Sequence, residues 1–161
     1  MDSNLSVRAL VNKDRKWAKD LWIRSWNADN VVSVGHIHYL NDLNGFVAES
    51  NGERVGLLTY IVDNRQMEIV TLDSLMEGVG IGTALVDYTL TEAKKRKCNR
   101  VWLVTTNDNT DALRFYQRRG FVIQKINRGA IEESRRLKPS IPHVGNHGIP
   151  IRDEIVMEYM I

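Results

Sequence analysis

Apolar and polar residues alternate along this chain in two rhythms, and each change of rhythm marks an element. LSVRAL, residues 5–10, keeps the two-residue period of a half-buried strand. Beyond Asn12 and Asp14, either of which can cap a helix, the period lengthens. Trp17, Ala18, Leu21, Trp22 and Ser25 then share one face of a helix running to about Trp26. NADNVVSVGHIHYLNDL, residues 27–43, holds neither rhythm for long and reads as a loop followed by a short helix or irregular segment. GFVAE and RVGLLTYIV flank Asn51-Gly52, a strong hairpin signal. DNRQ supplies the next turn and MEIVTLDSL a further strand. After EGVGIG the helical spacing returns, with Ile81, Ala84, Leu85, Tyr88 and Ala93 on the apolar side. VWLVTT is a continuous apolar run and suits a strand buried on both faces. Asn109 opens a helix, TDALRFYQRR, that Gly120 closes. FVIQKI reads as a strand, AIEESRRLK as a short charged helix, and RDEIVMEYM as the last strand. Together these elements predict an α/β (α+β) fold in a single domain, 1–161, with helices flanking a mixed, mostly antiparallel sheet.

Composition narrows the function classes. A length of 161 residues buries a proper core without staples. Cys98 is the single cysteine, which rules out an intrachain disulfide and a cysteine-based zinc site. Lysine and arginine exceed aspartate and glutamate by 22 − 20 = 2, so no electrostatic footprint for nucleic acid exists. The run Lys94-Lys95-Arg96-Lys97 ends a predicted helix, where cations offset the negative end of the helix dipole. No apolar run reaches membrane-spanning length and MDSNLSVRAL has no long apolar stretch, so a cytoplasmic protein with neither membrane nor nucleic-acid partner is expected. His36 and His38, and His143 and His147, invite a metal site. The second pair would need a helix to share a face, and PHVGNHGIP forbids one, so no metal is expected.

EGVGIGTAL, residues 77–85, raises the sharpest question, because glycines at 78, 80 and 82 sit where a helix begins. One reading is a tight turn. The other is a phosphate cradle, in which unpaired N–H groups at the positive end of a helix face an anion and no Cβ stands in the way. The spacing is neither the dinucleotide G-x-G-x-x-G nor a nucleotide-hydrolase loop. The loop alone leaves both readings standing.

A second segment, NTDALRFYQRRGF, lies one strand further on. With it the chain resembles the GCN5-related N-acetyltransferase (GNAT) family of acetyl-CoA-dependent acyltransferases. That family's (Gln/Arg)-x-x-Gly-x-(Gly/Ala) loop is matched by Glu77, Gly80 and Gly82. Its N-x-x-A-x-x-F-Y-x-x-x-G-F is matched by Asn109, Ala112, Phe115, Tyr116, Gly120 and Phe121. The order of elements agrees over nearly the whole chain, and the resemblance implies middle strands that splay apart around the cofactor. One departure stands out: the first loop position is Glu77 where Gln or Arg is usual. A carboxylate beside a pyrophosphate is unfavourable unless it points away, so binding there would rest on backbone N–H groups.

The resemblance implies acetyl-CoA as cosubstrate and an amine as acceptor, a small molecule or a peptide amine, with direct transfer between them. It places the pyrophosphate on Glu77, Gly78, Val79, Gly80, Ile81, Gly82 and Thr83, and the pantetheine arm along the main chain at Leu72, Ser74 and Leu75. Asn109, Ala112, Phe115 and Tyr116 would complete the cofactor site, Asn109 as a cofactor contact or simply as a helix cap. Tyr116 would give a proton to the leaving thiolate, a tyrosine at about 10 being matched to a thiol at about 8.5. Glu68 occupies a strand position where some members carry the base that deprotonates the amine; Asp73 and Glu154 are its rivals. The segment 128–152 is too long for a plain hairpin connection and is stiffened by Pro139, Pro142 and Pro150, so it is expected to shape the acceptor pocket through His143 and His147. A domain that binds an acyl-CoA without turnover, as a sensor or structural module, is the alternative. A homodimer is left open.

Overall fold

The computed structural model describes residues 4–161. Strand β1 (Ser6–Ala9) leads through a 3-10 turn at Asn12–Asp14 into α1 (Arg15–Trp26). Neither Asn12 nor Asp14 caps that helix through its side chain; the Asp14 carboxylate turns back instead to accept the Val11 N–H at 2.8 Å. It is also held by Arg8 at 2.7 Å and Arg54 at 2.9 Å. Asp14 itself is fully buried, so this charge network pins β1 to the rest of the protein.

The segment 27–43 corrects the sequence reading. It folds as a hairpin, β2 (Asn30–Ser33) and β3 (His36–Tyr39), followed by one 3-10 turn at Leu40–Asp42. Val34 and Gly35 form its tip with φ of 47° and 75°. A β-branched residue in the left-handed region is a genuine outlier, and that is why no turn signal was legible.

The other elements follow their patterns. β4 (Asn44–Ser50) and β5 (Glu53–Asp63) form the Asn51-Gly52 hairpin, and β6 (Gln66–Ser74) pairs back on β5. α2 (Ile81–Lys95) crosses to β7 (Arg100–Thr106), α3 (Thr110–Gln117) to β8 (Val122–Asn127), and α4 (Ala130–Leu137) precedes β9 (Glu154–Met160). Among the described residues one seven-stranded sheet runs β1-β4-β5-β6-β7-β9-β8. Alternation along β4 and β5 sends Phe46, Ala48 and Leu58 to a core under α2 and α3, and Val47 and Leu57 to a second core under α1. β7 is buried on one face only, through Val101 and Leu103, and Trp102 and Val104 on the other face are partly exposed, so the expectation of a strand buried on both faces is corrected.

One break interrupts the sheet. β6 and β7 run parallel and pair from Gln66↔Arg100 to Ile69↔Leu103, and there the pairing stops. Beyond that point β6 stays with β5, as far as Ser74↔Gly56, and β7 stays with β9, as far as Thr106↔Glu154. A bulge at Val70, between the pairs Tyr60↔Ile69 and Thr59↔Thr71, bends β6 away at the same place. The sheet is therefore split at its centre.

Candidate active site

Two clefts meet at that split. The larger, about 590 Å3, lies between the end of β6, the start of α2 and one face of α3. The other, about 520 Å3, lies between α1, β2, α4 and the segment before β9. Trp26, Ile69, Val70, Val104, Thr105 and Asn109 line both, so the gap between β6 and β7 is their common wall.

The first cleft is built by the glycines. Gly80 caps α2 at φ 83° and Gly78 has φ 76°, conformations that side chains rarely adopt. A Cβ on Gly82 would come within 3.1 Å of the Phe115 ring, so this glycine lets α2 and α3 approach. The turn that glycine permits brings the start of α2, where helix N–H groups lack intrahelical partners, to the wall of the cleft. Leu72, Ser74, Glu77, Gly78, Gly80, Ile81, Gly82 and Thr83 line it; Leu75 and Val79 do not. Leu75 is spent on β5, its N–H reaching the Val55 carbonyl at 2.9 Å, and Val79 packs on the core. Glu77 is exposed.

From α3 come Asn109, Ala112, Phe115 and Tyr116. Asn109 is a helix cap, its side-chain oxygen accepting the Ala112 N–H at 3.2 Å, and it lines both clefts as well. The Tyr116 ring is wedged edge-on between Phe115 and Phe121, with centroids 5.0 and 5.3 Å away. Burial pushes its hydroxyl well above the ordinary tyrosine value, Arg119 opposing and Asp73 adding to the shift. At neutral pH it is a full O–H donor. Sequence reasoning missed Arg119, which lies 3.6 Å over the Phe115 ring, donates to Thr83 Oγ1 and the Phe115 carbonyl, and lines the cleft beside the glycines. The second arginine of QRRG was its only signal.

The carboxylates gather at the tip of the β2–β3 hairpin. Ser33 Oγ donates to Glu68 at 2.6 Å, and the Val34 N–H donates to Glu154 at 3.1 Å. Both glutamates are buried. Burial raises Glu68 above the usual carboxylate range; the Ser33 hydrogen bond and His36 oppose this, and Glu154 adds to it. Glu154 lines the second cleft. Glu68 opens instead onto a third of about 430 Å3 with His36 and His38, and Ser33 borders both. His38 Nε2 is 3.7 Å from Glu68, and burial holds that imidazole toward its neutral form. Asp73, the other rival, accepts from the Trp26 indole at 3.1 Å and is raised chiefly by burial.

The segment 128–152 does wall the second cleft, but through Lys138, Ile141, Pro142 and Ile151. Arg135 ties it down by donating to the carbonyls of Pro142 and Ile151 at 2.9 and 2.8 Å. His143 and His147 line neither cleft; His147 is exposed and faces Asp111 at 3.4 Å. The expectation for these two histidines is corrected on geometry.

The model of the Acetyltransferase (GNAT) family matches residues 12–121, which contain the split, the glycine turn and α3. The chain belongs to the GNAT acetyltransferases. It is 41% identical over 143 residues to the uncharacterised protein YdhI of Bacillus subtilis, covering 88% of this chain and 89% of that one. Among solved structures, this acetyltransferase resembles a GNAT family acetyltransferase from Elizabethkingia anophelis with acetyl-CoA bound, with a TM-score of 0.74 at 19% identity over 99% of this chain and 100% of that one. A Bacillus subtilis acetyltransferase in complex with CoA gives 0.70 at 20% identity, over 98% of each chain. At those identities the likeness is one of fold.

Proposed function

We propose that this acetyltransferase moves an acetyl group from acetyl-CoA directly to a primary amine. The observation that carries the reading is the meeting of two clefts at the β6–β7 split, one ringed by glycine and helix N–H groups, the other ending on a buried carboxylate. An anion-binding turn suits the pyrophosphate, and the unpaired strand edges at Val70–Ser74 suit the amide groups of the pantetheine arm. The acetyl carbon then sits in the gap, with the amine reaching it from the far side.

The ammonium first gives a proton to the carboxylate pair under the hairpin tip, where Glu154 lines the amine's cleft and Glu68 is the neighbouring base. The neutral nitrogen attacks the thioester carbonyl carbon, the C–N bond forms and the C–S bond breaks. Tyr116 donates its proton to the departing thiolate, and the second proton shed by nitrogen balances it. The raised tyrosine and the raised glutamate match these roles, an acid that stays protonated and a base moved toward neutrality.

Two measurements test the reading. Acetyl-CoA at a hundredfold its Kd adds about 2.7 kcal/mol and raises Tm, while Gly80→Val shows no shift because a side chain blocks the turn. Thiol release from acetyl-CoA across a panel of amines then separates turnover from binding alone. A shift from NAD or ATP with none from acetyl-CoA overturns the proposal.

A further inference from the structure

The second cleft has an unusual charge inventory for an amine site. Glu154 is 4% exposed, and among the described residues its one hydrogen-bond donor is the Val34 N–H. A carboxylate can accept about four hydrogen bonds, and a buried charge is costly unless it is paired. The other charged group lining the cleft is a cation, Lys138. Its Nζ is held in place by the carbonyls of Asn30 at 2.7 Å and Trp26 at 3.3 Å. Trp26, Val32, Ile131, Ile141, Pro142 and Ile151 give the cleft a large apolar surface, and the polar residues beside them, Ser25, Asn27, Ser134 and Ser140 among them, carry no charge.

We infer that this cleft selects a compact primary amine with one positive charge on an apolar body, its ammonium paired with Glu154, and rejects polycations. The inference rests on the transfer reading above and names its substrate class. One ammonium completes the shell of Glu154. A second, carried further along the same molecule, would find no second carboxylate in the lining and would share the cleft with the Lys138 cation. A volume of about 520 Å3 fits a body the size of a phenylalkyl or branched alkyl group with room for bound water. The long segment before β9 is then a specificity wall, and Arg135, which fastens it, keeps that wall apolar and closed.

The test uses the whole protein saturated with acetyl-CoA. 2-Phenylethylamine and isopentylamine should exceed spermidine and lysinamide in kcat/KM by at least tenfold. A second readout needs no turnover: with coenzyme A present, 2-phenylethylamine should raise Tm and the uncharged 2-phenylethanol should raise it less. Glu154→Gln keeps an oxygen for the Val34 N–H but loses the charge, so it should erase the difference between amine and alcohol. Ile141→Lys should raise KM for 2-phenylethylamine severalfold with KM for acetyl-CoA unchanged. Spermidine equal to or better than the apolar amines, or no Tm advantage of amine over alcohol, overturns the inference. Thiol release with no amine at all, beside an intact Tm advantage, overturns the transfer reading and leaves the cleft's selectivity standing.

Discussion

In the proposed transfer Tyr116 is the acid and Glu68 the neighbouring base, set apart by environment, and their titrations should be readable in kinetics. Tyr116→Phe keeps the ring between Phe115 and Phe121 and removes only the hydroxyl. It should lower kcat by about 100-fold with little change in the acetyl-CoA constant; equal losses in both would make it a binding residue. Because burial raises Glu68, the acid limb of kcat/KM should lie above the ordinary carboxylate value of about 4.3, and Glu68→Gln should remove or displace that limb. Asp14 shows the opposite sign. The Arg8 hydrogen bond holds its carboxyl far below the usual range, so the stability it contributes is complete above about pH 3.9 and is lost as pH falls below that. Asp14→Asn should cost about 3 kcal/mol near neutrality, and its urea midpoint should fall less than the parent's between about pH 4 and pH 2. At this scale the sequence was readable where spacing carries meaning. Gly80, Gly82 and Tyr116 stood out in short motifs. Glu154 and Val34 meet across the chain at 3.1 Å, a distance no local pattern contains, so the carboxylate pair was visible only as separate candidates.

Among the elements, the β2–β3 hairpin was the one misread, and its tip is where strain collects. Val34 at φ 47° is a residue type that resists that conformation, yet its N–H must point at Glu154. Asn-Gly is the pairing such a turn prefers. Val34→Asn should therefore raise stability by about 1 kcal/mol in urea unfolding while leaving the backbone donor in place. Lower stability would mean that the partly exposed valine side chain packs more than its surroundings suggest. The segment 128–152 lines the second cleft, but not through the two histidines that the sequence singled out. Prolines and length announced an ordered loop, but which side faces inward depends on Arg135 reaching carbonyls at 142 and 151. That is tertiary information.

For the whole molecule, strand order and the central split followed from the succession of elements only through the family resemblance; hydrophobic pattern alone gave strands and helices without saying where two neighbours would part. That parting also has a cost unrelated to catalysis. A closed sheet hides its polar backbone, and proteins guard their outermost strands against pairing with a stranger. Here two raw strand margins, at Val70–Ser74 and Val104–Thr106, sit in the middle of the protein rather than at its rim. An acetyl-CoA bound in that gap, as proposed, would double as a stopper between reactions. On slow heating, light scattering should begin at lower temperature for the protein alone than with acetyl-CoA. That protection should exceed what an equal rise in Tm from a non-specific osmolyte provides. Scattering that follows Tm alone, whatever raised it, would mean the inner margins are no seed for misassembly. If they are, the supply of the proposed acyl donor would set how long this protein resists aggregation as well as how fast it works.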